Sequence, residues 1–101
     1  MGFKRSRVQI PPARGFHKSY RRVFYVYVLK SNKTRRRYVG SCEDIEERLR
    51  RHNSGHSKAT RHGVPWTLLH SEQFASRIEA TRRERYYKTG RGRDELDKLN
   101  G

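Results

Sequence analysis

Five polar residues have the side-chain types of a site that cleaves phosphodiesters. Arg48 and His52 are four residues apart, which places them on one face of a helix. Tyr27 and Tyr38 lie in two apolar segments joined by a short polar insert, and Glu84 lies in a later, strongly basic segment. A carboxylate can hold one hard divalent ion, an arginine can take up developing negative charge, and a tyrosine or histidine can move a proton. The set is chemically coherent for phosphodiester hydrolysis.

Each of these residues also has an ordinary structural explanation. A strand tyrosine such as Tyr27 usually belongs to the core with its hydroxyl satisfied. Glu84 is equally explained as one solvated acid among many cations, although those cations also favour its ionised form. Arg48 adjoins two further arginines, as expected of a charged helix face. Spacing alone leaves the function undecided.

Other kinds of site receive weaker support. The single cysteine, Cys42, and the five histidines show no paired-ligand pattern of a zinc site. His52 and His56 are four residues apart, but a third ligand would have to be guessed. Nothing beyond a position near a helix start indicates a reactive Cys42 thiolate, and no glycine-rich phosphate loop indicates a nucleoside triphosphate enzyme.

The charge of the chain points to a polyanionic partner. Its 101 residues include 25 Lys and Arg against 10 Asp and Glu, a formal net charge of +15. Nucleic acid is the expected partner, and an anionic membrane surface is the lesser alternative. Seven basic residues are predicted to contact nucleic acid: Arg35, Arg36, Arg37, Arg51, Lys58, Arg61 and Lys88.

The location of the protein is predicted from what the sequence lacks. No run of about 18 apolar residues indicates a transmembrane span, and the first residues contain no apolar stretch of signal-peptide length. The single cysteine cannot form an internal disulfide. These features predict a cytoplasmic protein in a reducing compartment.

The charge also divides the chain into two parts. Residues 1–22 carry seven Lys or Arg and no acid, and their two adjacent prolines block regular structure. We therefore predict a disordered basic arm over 1–22 and a folded domain over 23–101. The arm either adds phosphate contacts or has no selected role. Its segment RSRVQIPPARG also resembles spurious products of translation that starts too far upstream.

Within the folded part, β-branched and aromatic runs predict three strands, at residues 23–29, 37–41 and 65–74. The first two are close enough in sequence to pair as an antiparallel hairpin. Asp44 precedes Glu47 and Ser76 precedes Glu79 by three residues, the spacing of a capping box. This spacing predicts two helices, at 44–53 and 77–88, the second stopped at Gly90. A polar loop and a short amphipathic turn are expected at 54–64 and 94–99.

This order of elements predicts an α+β fold, a small three-stranded antiparallel sheet flanked by helices. Only 32% of the residues are hydrophobic, but 11% are aromatic, which allows one small core. The predicted core consists of Val23, Phe24 or Tyr25, Val28, Ile45, Leu49, Trp66, Leu68 and Ile78.

Five segments in order resemble the GIY-YIG nuclease superfamily. They are VYVL (26–29), YVG (38–40), SCEDIEERLRRHNSG (41–55), TRHGVPWTLLH (60–70) and EATRRERYYKTG (79–90). The resemblance covers residues 23–93 and is strongest to the small stand-alone bacterial members. These members are related to the GIY-YIG domain of the excision-repair endonuclease subunit.

The resemblance implies a nuclease that hydrolyses phosphodiesters with one divalent ion, Mg²⁺ or Mn²⁺. Tyr38 then matches the tyrosine that acts as general base on the attacking water, and Tyr27 the one that binds the phosphate or orders water. Arg48 matches the arginine that stabilises the pentavalent state, and His52 occupies the neighbouring His-or-Tyr position. Glu84 matches the metal-binding glutamate.

The sequence departs from the family pattern in three places. The first motif reads VYV rather than GIY, Cys42 replaces the usual threonine, and no residue is assigned to the asparagine that some members carry late in the chain. The leading hypothesis is a metal-dependent DNA endonuclease, for which DNA repair is an expected setting. The alternative is a nucleic-acid-binding module with little or no cleavage activity.

Overall fold

A three-stranded antiparallel sheet organises the residues that the computed structural model describes, 22–100. The basic arm predicted over 1–22 lies outside the described residues except for Arg22. The elements in chain order are β1 Phe24–Ser31, β2 Arg37–Cys42, α1 Ile45–Asn53, a 3₁₀ helix Arg61–Gly63, β3 Trp66–Phe74, α2 Arg77–Tyr87 and α3 Gly90–Asn100. The strand order across the sheet is β2-β1-β3, which confirms the predicted α+β fold.

β1 is the central strand and pairs with both neighbours. Its Val26, Val28 and Leu29 side chains are fully buried, as expected of a strand whose two faces are both covered. The predicted hairpin is confirmed, with Tyr27 opposite Gly40 and Leu29 opposite Tyr38. Alternation along β1 therefore sends two sets of side chains to opposite faces of the sheet.

The two faces carry separate apolar clusters. On one face, Phe24, Val26 and Val28 pack with residues of α2 and α3, such as Ala80 and Leu96. The other face packs against α1 and the loop that follows it. Its buried members are Tyr27, Leu29, Cys42 and Trp66.

Both predicted N-caps are confirmed. The Asp44 carboxylate accepts the backbone N–H of Glu47 at 3.1 Å, and the Ser76 hydroxyl accepts that of Glu79 at 3.2 Å. Each bond satisfies a donor that the first helical turn leaves without an intrahelical acceptor. The caps fix where α1 and α2 begin.

The C-terminal segment differs from the sequence prediction. Residues 94–99 were expected to form a short turn, but they belong to the 11-residue helix α3, which begins at Gly90. Gly92 explains how this helix packs so closely, because a Cβ there would lie 2.1 Å from the Tyr86 carbonyl oxygen. None of the helices within 22–100 combines the length and the apolar character needed to cross a bilayer.

Part of the predicted core is wrong. Phe24, Val28 and Trp66 are buried, but Ile78 is 69% exposed and Leu68 is 43% exposed. Ile78 lies two residues before buried Ala80, about 200° around the helix, so it points away from the sheet. Leu68 lies on β3, which in the described part of the chain pairs with a strand on one side only. Val23, Ile45 and Leu49 are half-buried.

One partly buried carboxylate joins β3 to α2. Glu72 accepts hydrogen bonds from His70, Arg83 and Tyr87. Burial raises the pKa of Glu72, but these three hydrogen bonds and the Arg83 charge outweigh burial and lower it to about 2. The carboxylate is therefore ionised at neutral pH and fully used within this network, which the sequence pattern did not predict.

We expect Leu96→Ala to lower the free energy of unfolding by about 2–5 kcal/mol, because the side chain is 1% exposed and its removal leaves a cavity. Ile78→Ala, at the exposed position, should cost less than about 1 kcal/mol. Urea denaturation of both variants measures the difference. Equal losses would contradict the assignment of α3 to the core.

Candidate active site

Tyr27 lies at the centre of the site, on the sheet face that α1 covers. The side chain is 1% exposed and crosses the neighbouring strand over Gly40. A Cβ at position 40 would lie 2.6 Å from the Tyr27 hydroxyl oxygen, closer than real Cβ contacts allow. The glycine of the YVG segment is thus required for Tyr27 to reach across the sheet.

A buried hydrogen-bond chain starts at the Tyr27 hydroxyl. It lies 3.1 Å from Nε2 of His52, and Nδ1 of the same imidazole lies 2.8 Å from the Thr60 hydroxyl oxygen. Tyr27, His52 and Thr60 are 1%, 4% and 1% exposed. All three side chains are therefore held by one another and shielded from solvent. Sequence reasoning missed Thr60, because a threonine in a polar loop carries no periodic signal.

The loop after α1 is fixed by Trp66. Its indole N–H donates to the Thr60 carbonyl at 2.8 Å, and its backbone N–H donates to the Asn53 side chain at 2.6 Å. The Asn53 amide in turn donates to the Trp66 carbonyl at 3.0 Å. Gly63 lies under the indole, where a Cβ would come within 2.5 Å of the ring. These contacts hold the Thr60 backbone in place.

Tyr38 lies beside this chain and is only half-buried. Its ring centroid is 4.8 Å from that of His52 and 6.3 Å from that of Tyr27. Among residues 22–100, the Tyr38 hydroxyl has no hydrogen-bond partner. The structure thus brings together Tyr27, Tyr38 and His52, which we call the tyrosine cluster. Of its two phenol hydroxyls, that of Tyr38 is unbonded within the described residues.

Burial and neighbouring charges shift the pKa values of Tyr27 and His52 in opposite directions. Burial, aided by Tyr38, raises the pKa of Tyr27 to about 12, although the Arg48 guanidinium beside the hydroxyl opposes this shift. Burial, followed by the charges of Arg48 and Arg51, lowers the pKa of His52. Tyr27 therefore keeps its proton at neutral pH, and His52 is a neutral imidazole.

Arg48 adds a positive charge at the edge of this network. Its side chain is 36% exposed, and its Nε lies 4.0 Å from the Glu47 carboxylate. This buried Nε makes no hydrogen bond within the described part of the chain. The guanidinium is thus weakly compensated, as suits a group that binds an anion.

Glu84 lies apart from the tyrosines. Its carboxylate accepts the Ser41 hydroxyl at 2.9 Å and the Lys88 ammonium at 3.0 Å, and its side chain is 22% exposed. Ser41 is two residues from Val39, whose side chain belongs to the α2 cluster. Glu84 therefore contacts the face of β2 opposite to Tyr38. In 22–100, no group of three His, Cys, Asp or Glu residues is placed to hold a metal ion.

A basic groove of about 560 Å³ runs along the outer edge of β2. We define it by its five cationic residues, Arg35, Arg36, Arg37, Lys88 and Arg93. Tyr38 also lines it, which makes the groove continuous with the tyrosine cluster. Arg93 was not among the predicted contacts, because residues 90–93 were not expected to be helical and packed here.

The predicted nucleic-acid contacts differ in how free their charges are. Arg37 pairs with Asp97 at 2.7 Å, Arg51 with Glu47 at 2.8 Å, and Lys88 with Glu84. The remaining four are exposed and form no ion pair with another described residue: Arg35, Arg36, Lys58 and Arg61. The first two lie in the groove, and the last two lie on the loop that carries Thr60.

Cys42 is a structural residue of the same face. The side chain is 4% exposed, and burial raises the pKa of its thiol to about 11, against a smaller opposing hydrogen bond from the Asp44 backbone. The thiol is protonated at neutral pH, which leaves it without nucleophilic character.

The buried imidazole makes the stability of the fold depend on pH. Because the pKa of His52 is lower in the folded state than its ordinary value of 6.5, the unfolded state binds more protons as the pH falls through 6.5. We expect stability to fall from pH 7.5 to 5, by up to about 1.4 kcal/mol per pH unit.

Urea denaturation across this range, on wild type and His52→Gln, isolates the contribution of this residue. The slope below pH 6.5 should be shallower in the variant, since the other histidines are common to both proteins. Parallel slopes would contradict a neutral, buried His52.

Comparison with known proteins identifies the family of this fold. The GIY-YIG catalytic domain family matches residues 23–99. A UPF0213 protein of Staphylococcus haemolyticus is 39% identical over 66 residues, which cover 64% of this chain and 79% of that protein. The structure-specific endonuclease subunit slx1 of Schizosaccharomyces pombe is 44% identical over 48 residues, 42% of this chain and 18% of that protein.

A solved structure is also similar. The solution NMR structure of a UPF0213 protein from Bacillus halodurans is 33% identical, with a TM-score of 0.48, and the match covers 78% of this chain and 86% of that one. The family match includes every residue of the tyrosine cluster, Glu84 and the basic groove. This chain belongs to the GIY-YIG family and carries its nuclease domain.

Proposed function

We propose that this protein is an endonuclease that hydrolyses phosphodiester bonds in DNA and depends on a divalent metal ion. The observation that carries the proposal is the Tyr38 hydroxyl, which has no hydrogen-bond partner among residues 22–100, beside the mutually bonded side chains of Tyr27, His52 and Thr60. The GIY-YIG catalytic domain supports the reaction class. The name of the slx1 relative supports endonuclease activity among proteins that share this segment.

The two tyrosines have different roles in this proposal. Tyr27 is buried and bonded to His52, and its raised pKa keeps it protonated, so it positions the site and does not take a proton. Tyr38 is partly exposed and free to contact the attacking water, which makes it the candidate general base. The Arg48 guanidinium stabilises charge that develops on the phosphate.

Glu84 fits the requirements of a Mg²⁺ or Mn²⁺ ligand. Mg²⁺ is commonly bound by one or two carboxylates and completes its shell with water and substrate phosphate oxygens. Glu84 supplies one partly exposed carboxylate, next to the Ser41 hydroxyl. When bound, the ion polarises the phosphate and neutralises developing charge. The exposed Lys88 ammonium would have to leave the carboxylate.

The edge position of β2 explains how residues on both sheet faces serve one substrate. Tyr38 and Ser41 are three residues apart on this strand, a distance of about 10 Å along it. Within residues 22–100, no strand pairs with the outer side of β2. A DNA strand that runs along this edge contacts Tyr38 on one face and approaches Glu84 on the other.

The basic groove provides the contacts to the DNA backbone. Arg35 and Arg36 are exposed and free of ion pairs with the described residues, and Arg93 extends the same surface. Clustered arginines bind successive phosphates and do not read base sequence. Lys58 and Arg61 add charge on the loop that carries Thr60.

The alternative of a binding module without cleavage activity also rests on a specific observation. Glu84 is neutralised by Lys88 and is separated from Tyr27, Tyr38 and His52 by the edge strand. A protein that only binds nucleic acid would retain the groove and lose affinity steeply with salt. It would not need a metal ion.

A cleavage assay separates the two. Plasmid, branched and single-stranded DNA are incubated with Mg²⁺, Mn²⁺ or EDTA and with wild type, Glu84→Gln or Tyr38→Phe. We expect metal-dependent cleavage that each substitution reduces by at least about 100-fold. Affinity for the same DNA, measured by fluorescence anisotropy in EDTA, should change by less than about threefold.

Matched controls are available on α2. Glu79→Gln changes an exposed glutamate in its first turn, and Tyr86→Phe removes a hydroxyl that donates a hydrogen bond to Glu95. Both should cleave like wild type. Cleavage that persists in EDTA or in Glu84→Gln would contradict the metal role of Glu84. Tight binding with no cleavage of any substrate would establish the binding module instead.

A further inference from the structure

The far end of the buried hydrogen-bond chain is a threonine hydroxyl. Thr60 is 1% exposed, and the partner of its hydroxyl within 22–100 is Nδ1 of His52, at 2.8 Å. A polar group this deeply buried is costly unless it is bonded. The His52 contact therefore provides the Thr60 hydroxyl with its hydrogen bond within the described residues.

Backbone hydrogen bonds fix the loop that carries this hydroxyl. The Thr60 carbonyl accepts from the Trp66 indole at 2.8 Å and from the Gly63 backbone at 3.0 Å. The Thr60 N–H donates to the Ser57 carbonyl at 3.2 Å. Because the N–H and the C=O of Thr60 are both hydrogen-bonded, the backbone is fixed and directs the side chain toward His52.

The direction of the bonds along the chain follows from the donors available. The Arg48 guanidinium beside the Tyr27 hydroxyl can only donate, which favours the arrangement in which the Tyr27 oxygen turns its lone pairs toward Arg48 and its proton toward Nε2 of His52. Neutral imidazole carries one N–H, which is then on Nδ1. In this arrangement the N–H donates to the Thr60 hydroxyl oxygen, 2.8 Å away.

We propose that Thr60 is a positioning residue of the nuclease site. Its hydroxyl accepts the His52 Nδ1–H and thereby holds the imidazole in the tautomer whose Nε2 accepts the Tyr27 proton. Thr60 touches neither substrate nor metal and acts through His52. The effect on cleavage rests on the proposed function, whereas the effect on the tautomer does not.

Removal of the hydroxyl would leave Nδ1–H buried without an acceptor. The imidazole relieves this by moving its proton to Nε2, and the Tyr27 hydroxyl then faces a donor in place of an acceptor. Tyr27 cannot turn aside, because its ring is fully buried over Gly40. The cluster that supports the Tyr38 ring is therefore disturbed without a change in volume.

The test uses Thr60→Val, which keeps the shape and removes the hydroxyl, and Thr60→Ser, which restores it. Thr67→Val makes the same change at an exposed position of β3. Long-range ¹H–¹⁵N NMR spectra report which nitrogen of His52 carries the proton. In wild type, Thr60→Ser and Thr67→Val we expect Nδ1–H, and in Thr60→Val a shift to Nε2–H.

Cleavage kinetics on whichever DNA of the panel the wild type cuts provide the second readout. In Thr60→Val, kcat should fall about 10- to 100-fold with KM changed by less than about twofold, and Thr60→Ser should recover most of the rate. Nε2–H in the wild-type protein, or an unchanged tautomer in Thr60→Val, would overturn the proposal, and the wild-type spectrum decides even if Thr60→Val does not fold. If the wild type cleaves no DNA, the proposed function is wrong, and the NMR spectra alone then test whether Thr60 sets the His52 tautomer.

Discussion

The structure depends on the burial of one phenol hydroxyl against one imidazole. Tyr27 reaches His52 only because position 40 has no side chain, and His52 remains neutral because it is buried between that hydroxyl and Thr60. α1 must begin at its Asp44 cap to place His52 over the sheet. The loop that follows must be fixed by Trp66 to return Thr60 to the imidazole. A fault in any of these local features leaves a buried polar group unpaired.

This constraint separates the functions of residues that look equivalent in sequence. Two tyrosines on paired strands are both plausible acids or bases, but burial commits Tyr27 to holding a proton, and partial exposure leaves Tyr38 available. The carboxylates of Glu72 and Glu84 also differ in their surroundings. Glu72 is saturated by His70, Arg83 and Tyr87, whereas Glu84 is bound by two groups at the open edge of β2.

Sequence patterns predicted the features that depend on residues close together in the sequence. The apolar run of β1, the short hairpin and the two N-caps each need only a few neighbouring residues, and all were confirmed. Ile78 was misplaced because hydrophobicity does not reveal which side of a short, basic helix faces the sheet. Thr60 and Arg93 could not be predicted, since their roles arise from contacts between distant elements. The GIY-YIG resemblance gave residue identities, but not the opposite faces on which Tyr38 and Glu84 lie.

The most direct measurement is an NMR titration of the tyrosine ring carbons, which follows the ionisation of Tyr27 separately from the other tyrosines. Tyr27 should keep its proton until the pH approaches about 12, because its hydroxyl is buried and bonded to a neutral imidazole. That result would fix Tyr27 as a positioning group and leave Tyr38 as the candidate base. Ionisation of Tyr27 below pH 10 would contradict the account, because a phenol that loses its proton so readily is not held protonated by burial and by its bond to His52.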